Sequence, residues 1–285
     1  MINKNNNPEI IFWGVRGSIA TPGEKTNGYG GNTTCLQVIL PTTDELLIFD
    51  CGTGVVNLGN SLSESDGPLK GKIFITHTHW DHIQAIPFFK PFYSPGNHFE
   101  LSMPEQLGKS CMEVVKMIMA PVFFPVNIEA FQAEIDYKTE CCVPIAYDDG
   151  YTVESLRVSH PGNTVMYKIT ANDKSIVFCP DNEYLLASED LKENMLAFVK
   201  NADVLIHDSH YSRETYKDKK GWGHTAWEDT VEFGIEAGVK HLFLTHHAPE
   251  ASDVILDERA TKLDSYRHHF KSVRFARENE HFVVD

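Results

Sequence analysis

Apolar residues along this chain come in short β-branched and aromatic runs rather than in long helical stripes. The runs Ile10–Trp13, Thr34–Leu40, Leu46–Phe49, Lys72–Thr76, Leu156–Ser159, Val165–Thr170, Ser175–Cys179, Asp203–Ile206 and His241–Thr245 predict strands. Two helices are marked by a helical period. Ser188 stands as a cap before Leu191, Met195, Phe198 and Val199, which share one face. Thr225 and Glu228 form a T-x-x-E capping box before Trp227, Val231 and Ile235, and Gly238 supplies a stop. Mixed strands and helices, with strands enough for two sheets, predict an α/β sandwich with helices outside. No repeat or long linker divides the chain, so residues 1–285 read as one domain. Residues 83–159, with IPFFKPFYSPG and MIMAPVFFPV, read as an irregular insertion that shapes a cleft or a dimer contact. Phe88, Phe89, Phe92 and Tyr93 there could stack a base or wall the cleft, but core packing is the better expectation for most of them.

The polar residues at the ends of the strand runs are more telling. LLIF leads to Asp50, KIFIT to His77, SLRVS to His160, SIVFCP to Asp181, DVLI to His207 and Asp208, and HLFLT to His246. Layered α/β folds bind ligands beyond the carboxyl ends of their strands, so six strands that each deliver a His or Asp at that end point to one site. The densest cluster is His77-Thr78-His79-Trp80-Asp81-His82. In an extended segment His77 and His79 face the same side and can grip one ion. Asp81 and His82 fall where the chain turns, and can serve a second. His160 and His246 could complete the two ions, and the Asp181 carboxylate could bridge them. Seven donors exceed what one closed tetrahedral site uses, and imidazole with carboxylate suits zinc while admitting manganese or iron.

The H-x-H-x-D-H pattern, with His160, Asp181 and His246 downstream, resembles the metallo-β-lactamase superfamily. The resemblance implies an αβ/βα sandwich of two mixed β-sheets. It also implies His77, His79 and His160 on one zinc, Asp81, His82 and His246 on the other, and Asp181 between them, with Asp50 supporting the motif loop. Asp81 would act in catalysis as well as in binding. FWGVRGSIATPG, His207-Asp208 and Gly223-His224-Thr225 resemble the ribonuclease Z-like phosphodiesterase branch, whose acidic residue and histidine act together near the leaving group. On that likeness Asp208 orients His224, which protonates the departing alkoxide, while a hydroxide activated between the two zinc ions attacks phosphorus. Asp208 stands where the branch has Glu, and Thr-Ala where it has Ser-Thr. GVRGS, YGGNT and GWGH are similar to a group that includes cyclic-phosphate phosphodiesterases, and the family implies a homodimer.

Composition narrows the substrate. With 25 Lys and Arg against 40 Asp and Glu, the chain carries a net charge of −15, which disfavours a polyanion partner or an anionic membrane surface. Residues 83–159 hold five basic and ten acidic residues, the wrong sign for an RNA clamp. The expectation is therefore a small anionic phosphodiester, a cyclic nucleotide or cyclic ribose phosphate, with no extended nucleic-acid surface. Rival readings are a transfer-RNA 3′-processing endonuclease, an acyl hydrolase of lactams, lactones or thioesters, and a non-catalytic metal-binding sensor. Six cysteines without CxxC spacing are expected as free thiols in a reducing cytoplasm. The opening MINKNNNPEI lacks the apolar run of a secretory signal, and no stretch reads as a membrane span. His98, His210, His241, His247, His268, His269 and His281 are expected to be structural or exposed.

Overall fold

The computed structural model describes residues 7–62 and 67–285. Residues 1–6, part of the segment read as lacking a secretory signal, lie outside the described residues. Six strands form most of the first sheet: β1 (Glu9–Gly14), β2 (Cys35–Ile39), β3 (Leu46–Phe49), β4 (Lys70–Phe74), β5 (His98–Met103) and β6 (Glu134–Thr139). The second sheet holds β7 (Ile145–Tyr147), β8 (Tyr151–Arg157), β9 (Val165–Ala171), β10 (Lys174–Cys179), β11 (Val204–Asp208), β12 (His241–Thr245) and β13 (Ser272–Phe275). The chain then returns to pair β14 (His281–Val283) with β1. The result is two mixed seven-stranded sheets.

Inner-face residues such as Phe12, Leu47 and Phe49 meet Tyr167, Phe178, Ile206 and Phe243 between the sheets. Their neighbours point outward under helices. Ile48 and Ile73 pack beneath α1 (Gly54–Ser61), near the short α2 (Trp80–Ile83), and beneath α3 (Cys111–Ile118). Val177, Leu205, Leu242 and Leu244 pack beneath α4 (Glu189–Val199), α6 (Trp227–Ala237) and α7 (Asp253–Lys262), with the short α5 (Arg213–Tyr216) between. Strands covered on both faces read as unbroken apolar runs, which is why β3, β11 and β12 stand out in the sequence. The layers are those of the expected αβ/βα sandwich.

Ser188 caps α4 by accepting from the Leu191 amide. The expected capping box of α6 does not form: the cap position falls on Ala226. The Thr225 hydroxyl is committed instead to the Asn182 carbonyl, which ties the His224 segment to the loop after β10. Residues 83–159 hold β5, β6, β7 and β8, which lie at the edges of both sheets, rather than irregular chain alone. Cys141 and Cys142, expected as free thiols, are joined in a disulfide at the turn between β6 and β7, where their adjacency brings the sulfurs together. The other four cysteines are free and buried. No helix among the described residues is long and apolar enough to cross a membrane.

Strands β3 to β6 run parallel, and so do β10 to β13. Because β8 and β10 are both antiparallel to β9, β8 shares the direction of β10. The carboxyl ends of β3, β4, β8, β10, β11 and β12 therefore deliver Asp50, His77, His160, Asp181, Asp208 and His246 to a common rim.

Candidate metal centre

All seven predicted donors converge. His77 Nε2 lies 2.9 Å from His79 Nδ1, and His160 Nε2 lies 3.0 Å from that same atom. Asp181 Oδ2 faces this trio, 3.5 Å from His77 and 3.4 Å from His160. Its other oxygen, Oδ1, faces a second group, 3.1 Å from His82 Nε2 and 3.0 Å from His246 Nε2. Asp81 Oδ2 completes that group at 3.3 Å from His82 and 3.0 Å from His246. One carboxylate thus presents an oxygen to each half, the arrangement of a bridging ligand.

Proton accounting shows that cations fit here. The Gly223 carbonyl can only accept, so the His160 Nδ1–H donates to it at 2.7 Å, and a lone pair is left on Nε2. The Thr76 hydroxyl donates to Asp50 at 2.9 Å, so it accepts from His77 Nδ1–H at 3.1 Å, and His77 Nε2 also carries a lone pair. Both lone pairs aim at His79 Nδ1, which has at most one proton to give. A cation among the three nitrogens resolves the conflict. In the second half, His82 Nδ1–H donates to Asp50 at 2.8 Å, which aims a lone pair at two carboxylates. His82 Nε2 and Asp181 Oδ1 are buried without a hydrogen-bond partner among the described residues. Carboxylate support behind a ligating imidazole fixes its tautomer and raises its basicity, the part Asp50 plays for His82.

The electrostatics agree. Burial holds His77, His79 and His160 below the usual imidazole range, so all three keep the neutral, ligating form. Burial opposes ionisation of Asp181 and Asp81 as well, yet the surrounding histidines hold both carboxyls well below the usual range. For His82, burial opposes charge, but Asp181, Asp81 and Asp50 outweigh it and push the imidazole well up. Such a pocket calls for positive charge.

Asp208 and His224 sit beside these donors. His224 Nδ1 is 2.8 Å from Asp208 Oδ2. The Asp208 carboxylate is completely buried and also accepts from the Asn182 and His210 amides. Burial opposes charge on His224, but Asp208, Asp181 and Asp81 raise it to about 9. Its ring stacks 4.9 Å from His246 and borders a cavity of about 660 Å³ that His79 and His160 also line.

Several participants escaped the sequence reading. His210, expected to be structural, stacks 4.4 Å from His224, lines the cavity and donates from Nδ1 to the His246 carbonyl. Its signal was its place two residues after Asp208. The Ser18 amide donates to Asp81 Oδ2 at 2.7 Å, and Gly17 lies against the His246 ring. Arg16, buried completely, bonds the Gly30, Ala248 and Ala251 carbonyls and so fastens this turn and the cavity wall. All three belong to the GVRGS motif. The cavity is lined by residues from 209–224 and 248–259 rather than from 83–159. Phe89 and Phe92 are core, while exposed Phe88 does not line it. His207, which the strand-end pattern placed with the site residues, is instead buried away from the donors, bonded to Asn182 and to the Asp208 carbonyl, while His247 turns to Ala276, as expected.

Two clustered donor sets at the shared rim of an αβ/βα sandwich define a metal-dependent hydrolase. The beta-lactamase superfamily domain profile matches residues 46–247, and the chain belongs to the metallo-β-lactamase superfamily. Its place within it is the ribonuclease Z-like branch. A ribonuclease Z of Picrophilus torridus is 25% identical over 321 residues, covering 97% of this chain and 96% of that protein. Among solved structures, the metallo-β-lactamase fold protein YhfI of Bacillus subtilis aligns with a TM-score of 0.68 at 17% identity, covering 97% of this chain and 99% of that one. A diphosphatase from the PhnP family aligns with a TM-score of 0.66 at 16% identity, covering 98% of both chains.

Proposed function

We propose that this protein hydrolyses a small phosphodiester, a cyclic nucleotide or cyclic ribose phosphate, at a dinuclear centre. His77, His79 and His160 would hold one ion and Asp81, His82 and His246 the other, with Asp181 facing both. The nitrogen-rich donor set suits zinc. When bound, two such cations supply a water of lowered pKa and offset charge on a phosphoryl group. The remaining work belongs to the chain. Asp208 holds the His224 imidazolium, and His224 gives its proton to the leaving alkoxide as the P–O bond breaks. An alkoxide leaves poorly, and a placed acid contributes ~10²–10⁴-fold. Asp81, held by Ser18, keeps His246 aligned across the centre.

The observation that carries this reading is the Asp208–His224 pair at 2.8 Å, with His224 on the wall of the cavity that His79 and His160 also line. Acyl transfer to water does not require it in that role. Small size is supported by the chain's net charge of −15, which disfavours a polyanion. The ribonuclease Z relatives favour a second reading, cleavage of a transfer-RNA precursor. The implied homodimer belongs to the same proposal, and exposed Met117, Val122 and Phe123 offer the apolar surface such a contact covers.

The test is a side-by-side assay of zinc- and manganese-loaded protein on cyclic mononucleotides, cyclic ribose phosphates, a transfer-RNA precursor and a chromogenic lactam. The expected result is highest kcat/KM on a cyclic phosphodiester. Preference for the precursor or the lactam overturns the substrate assignment, and no turnover of any ester by the loaded protein leaves the sensor reading standing.

A further inference from the structure

The segment Gly221-Trp222-Gly223-His224 is built with unusual rigidity around an exposed tryptophan. One buried carboxylate, Glu183, accepts from the Gly221 amide at 2.7 Å, the Gly223 amide at 2.7 Å and the Tyr216 hydroxyl at 2.8 Å. Gly221 and Gly223 take φ of +83° and +91°, the left-handed region that other residues avoid. Gly223 is confined as well, because a Cβ there would lie 2.4 Å from His160 Nδ1. Its carbonyl is the one that sets the His160 tautomer. Glu183 thus fastens two residues of this turn to the end of α5. Here Trp222 stays 60% exposed and lines the cavity that holds His79, His160 and His224. Lys219 Nζ stands 4.0 Å over its ring and lines the same cavity. An indole face and a cation complement a flat, electron-rich ring carried by an anion.

We propose that Trp222, held out by the Glu183-fastened turn, is the platform on which the heterocyclic base of a nucleotide substrate stacks. This rests on the phosphodiesterase reading and narrows it: the substrate carries a base, so a cyclic nucleotide is taken over a bare cyclic sugar phosphate. The same turn then places the base, supports a ligand through the Gly223 carbonyl, and presents the acid two residues beyond the platform.

Two substrates decide it: a cyclic nucleoside monophosphate, and the cyclic phosphate of methyl riboside, which keeps sugar and phosphate but has no base. Stacking of one base corresponds to about tenfold to a hundredfold in affinity. Trp222→Ala raises KM for the nucleotide by that factor with little change in kcat, leaves the base-free substrate unaffected, and is largely rescued by Trp222→Phe. Equal losses on both substrates, or none on the nucleotide, overturn the platform. Calorimetric titration with a nucleoside monophosphate, against methyl riboside phosphate, separates the two ideas. If neither cyclic substrate is hydrolysed, the phosphodiesterase reading fails, while a Trp222-dependent preference for the base-bearing monophosphate still upholds the platform and its absence refutes it.

Discussion

Gly17→Ala is the sharpest probe of how the second half of the centre is built. A Cβ at position 17 would lie 2.3 Å from Nδ1, 2.4 Å from Cε1 and 2.9 Å from Cγ of His246, where ordinary contact begins at 3.4 Å. Relief requires the ring to retreat by about 1 Å, which moves Nε2 away from Asp81 and Asp181, now both at 3.0 Å. The backbone offers little give, because His246 is pinned at φ +60° and the Gly17 amide is bonded to the His247 carbonyl. A misplacement of that size costs on the order of 100-fold in rate, and comparable disturbance around a ligand weakens metal binding about 10–100-fold. The three atoms nearest a Cβ at position 17 all belong to His246, so the strain falls first on that ligand. Dialysed protein analysed by plasma mass spectrometry should therefore fall from two metal equivalents to one, with kcat dropping about 100-fold and the thermal transition still cooperative. Retention of two equivalents with unchanged kcat would refute the close fit of Gly17 on His246.

Asp208→Asn removes the charge that holds His224 near 9. A raised imidazole pKa keeps the acid protonated below it, and cations bound at Asp181 and Asp81 offset part of that rise, so wild-type kcat should decline as pH rises toward about 9. The Asn variant should show that decline at lower pH, with a ~10²–10⁴-fold loss on alkoxide-leaving substrates and a smaller one on nitrophenolate esters. Chelation of metal should lower the melting temperature, since ligands held only by the folded state stabilise it by ~2.7 kcal/mol at a hundredfold excess over Kd; an unchanged melt would argue against an ion at these donors. Glu183→Gln points an amide N–H at the Gly221 or Gly223 amide or strips an acceptor from them, and should destabilise the fold by about 1–3 kcal/mol in denaturant titrations.

Much of the site was legible in the chain because Asp50, His77, His160, Asp181, Asp208 and His246 each stand at the end of an apolar run, and a strand end is the one place where a buried strand meets solvent. His79, Asp81 and His82 were visible through their spacing after His77, and His224 only through the family resemblance. The features that stayed hidden act through the backbone. Ser18 contributes an amide, Gly223 a carbonyl, and Gly17 the lack of a side chain, none of which a residue type announces. Strands β6 and β7 were missed for another reason. Edge strands such as Glu134–Thr139 are only partly covered, so EIDYKT carries no apolar run to mark it. The α6 cap was misread because a hydroxyl before a helix can be recruited by a neighbouring loop, as Thr225 is by Asn182.

The division of the donors between the two sheets has a consequence for how the molecule holds together. His77, His79, Asp81 and His82 follow β4, while His160, Asp181 and His246 follow β8, β10 and β12. An ion held by either set would thus be gripped from both sides of the sandwich, like a rivet through two plates. The seam between the plates and the chemistry are secured by the same fastening, so a protein that has lost its ions should breathe first along that seam. Amide exchange at the rim would then report metal occupancy without any substrate present.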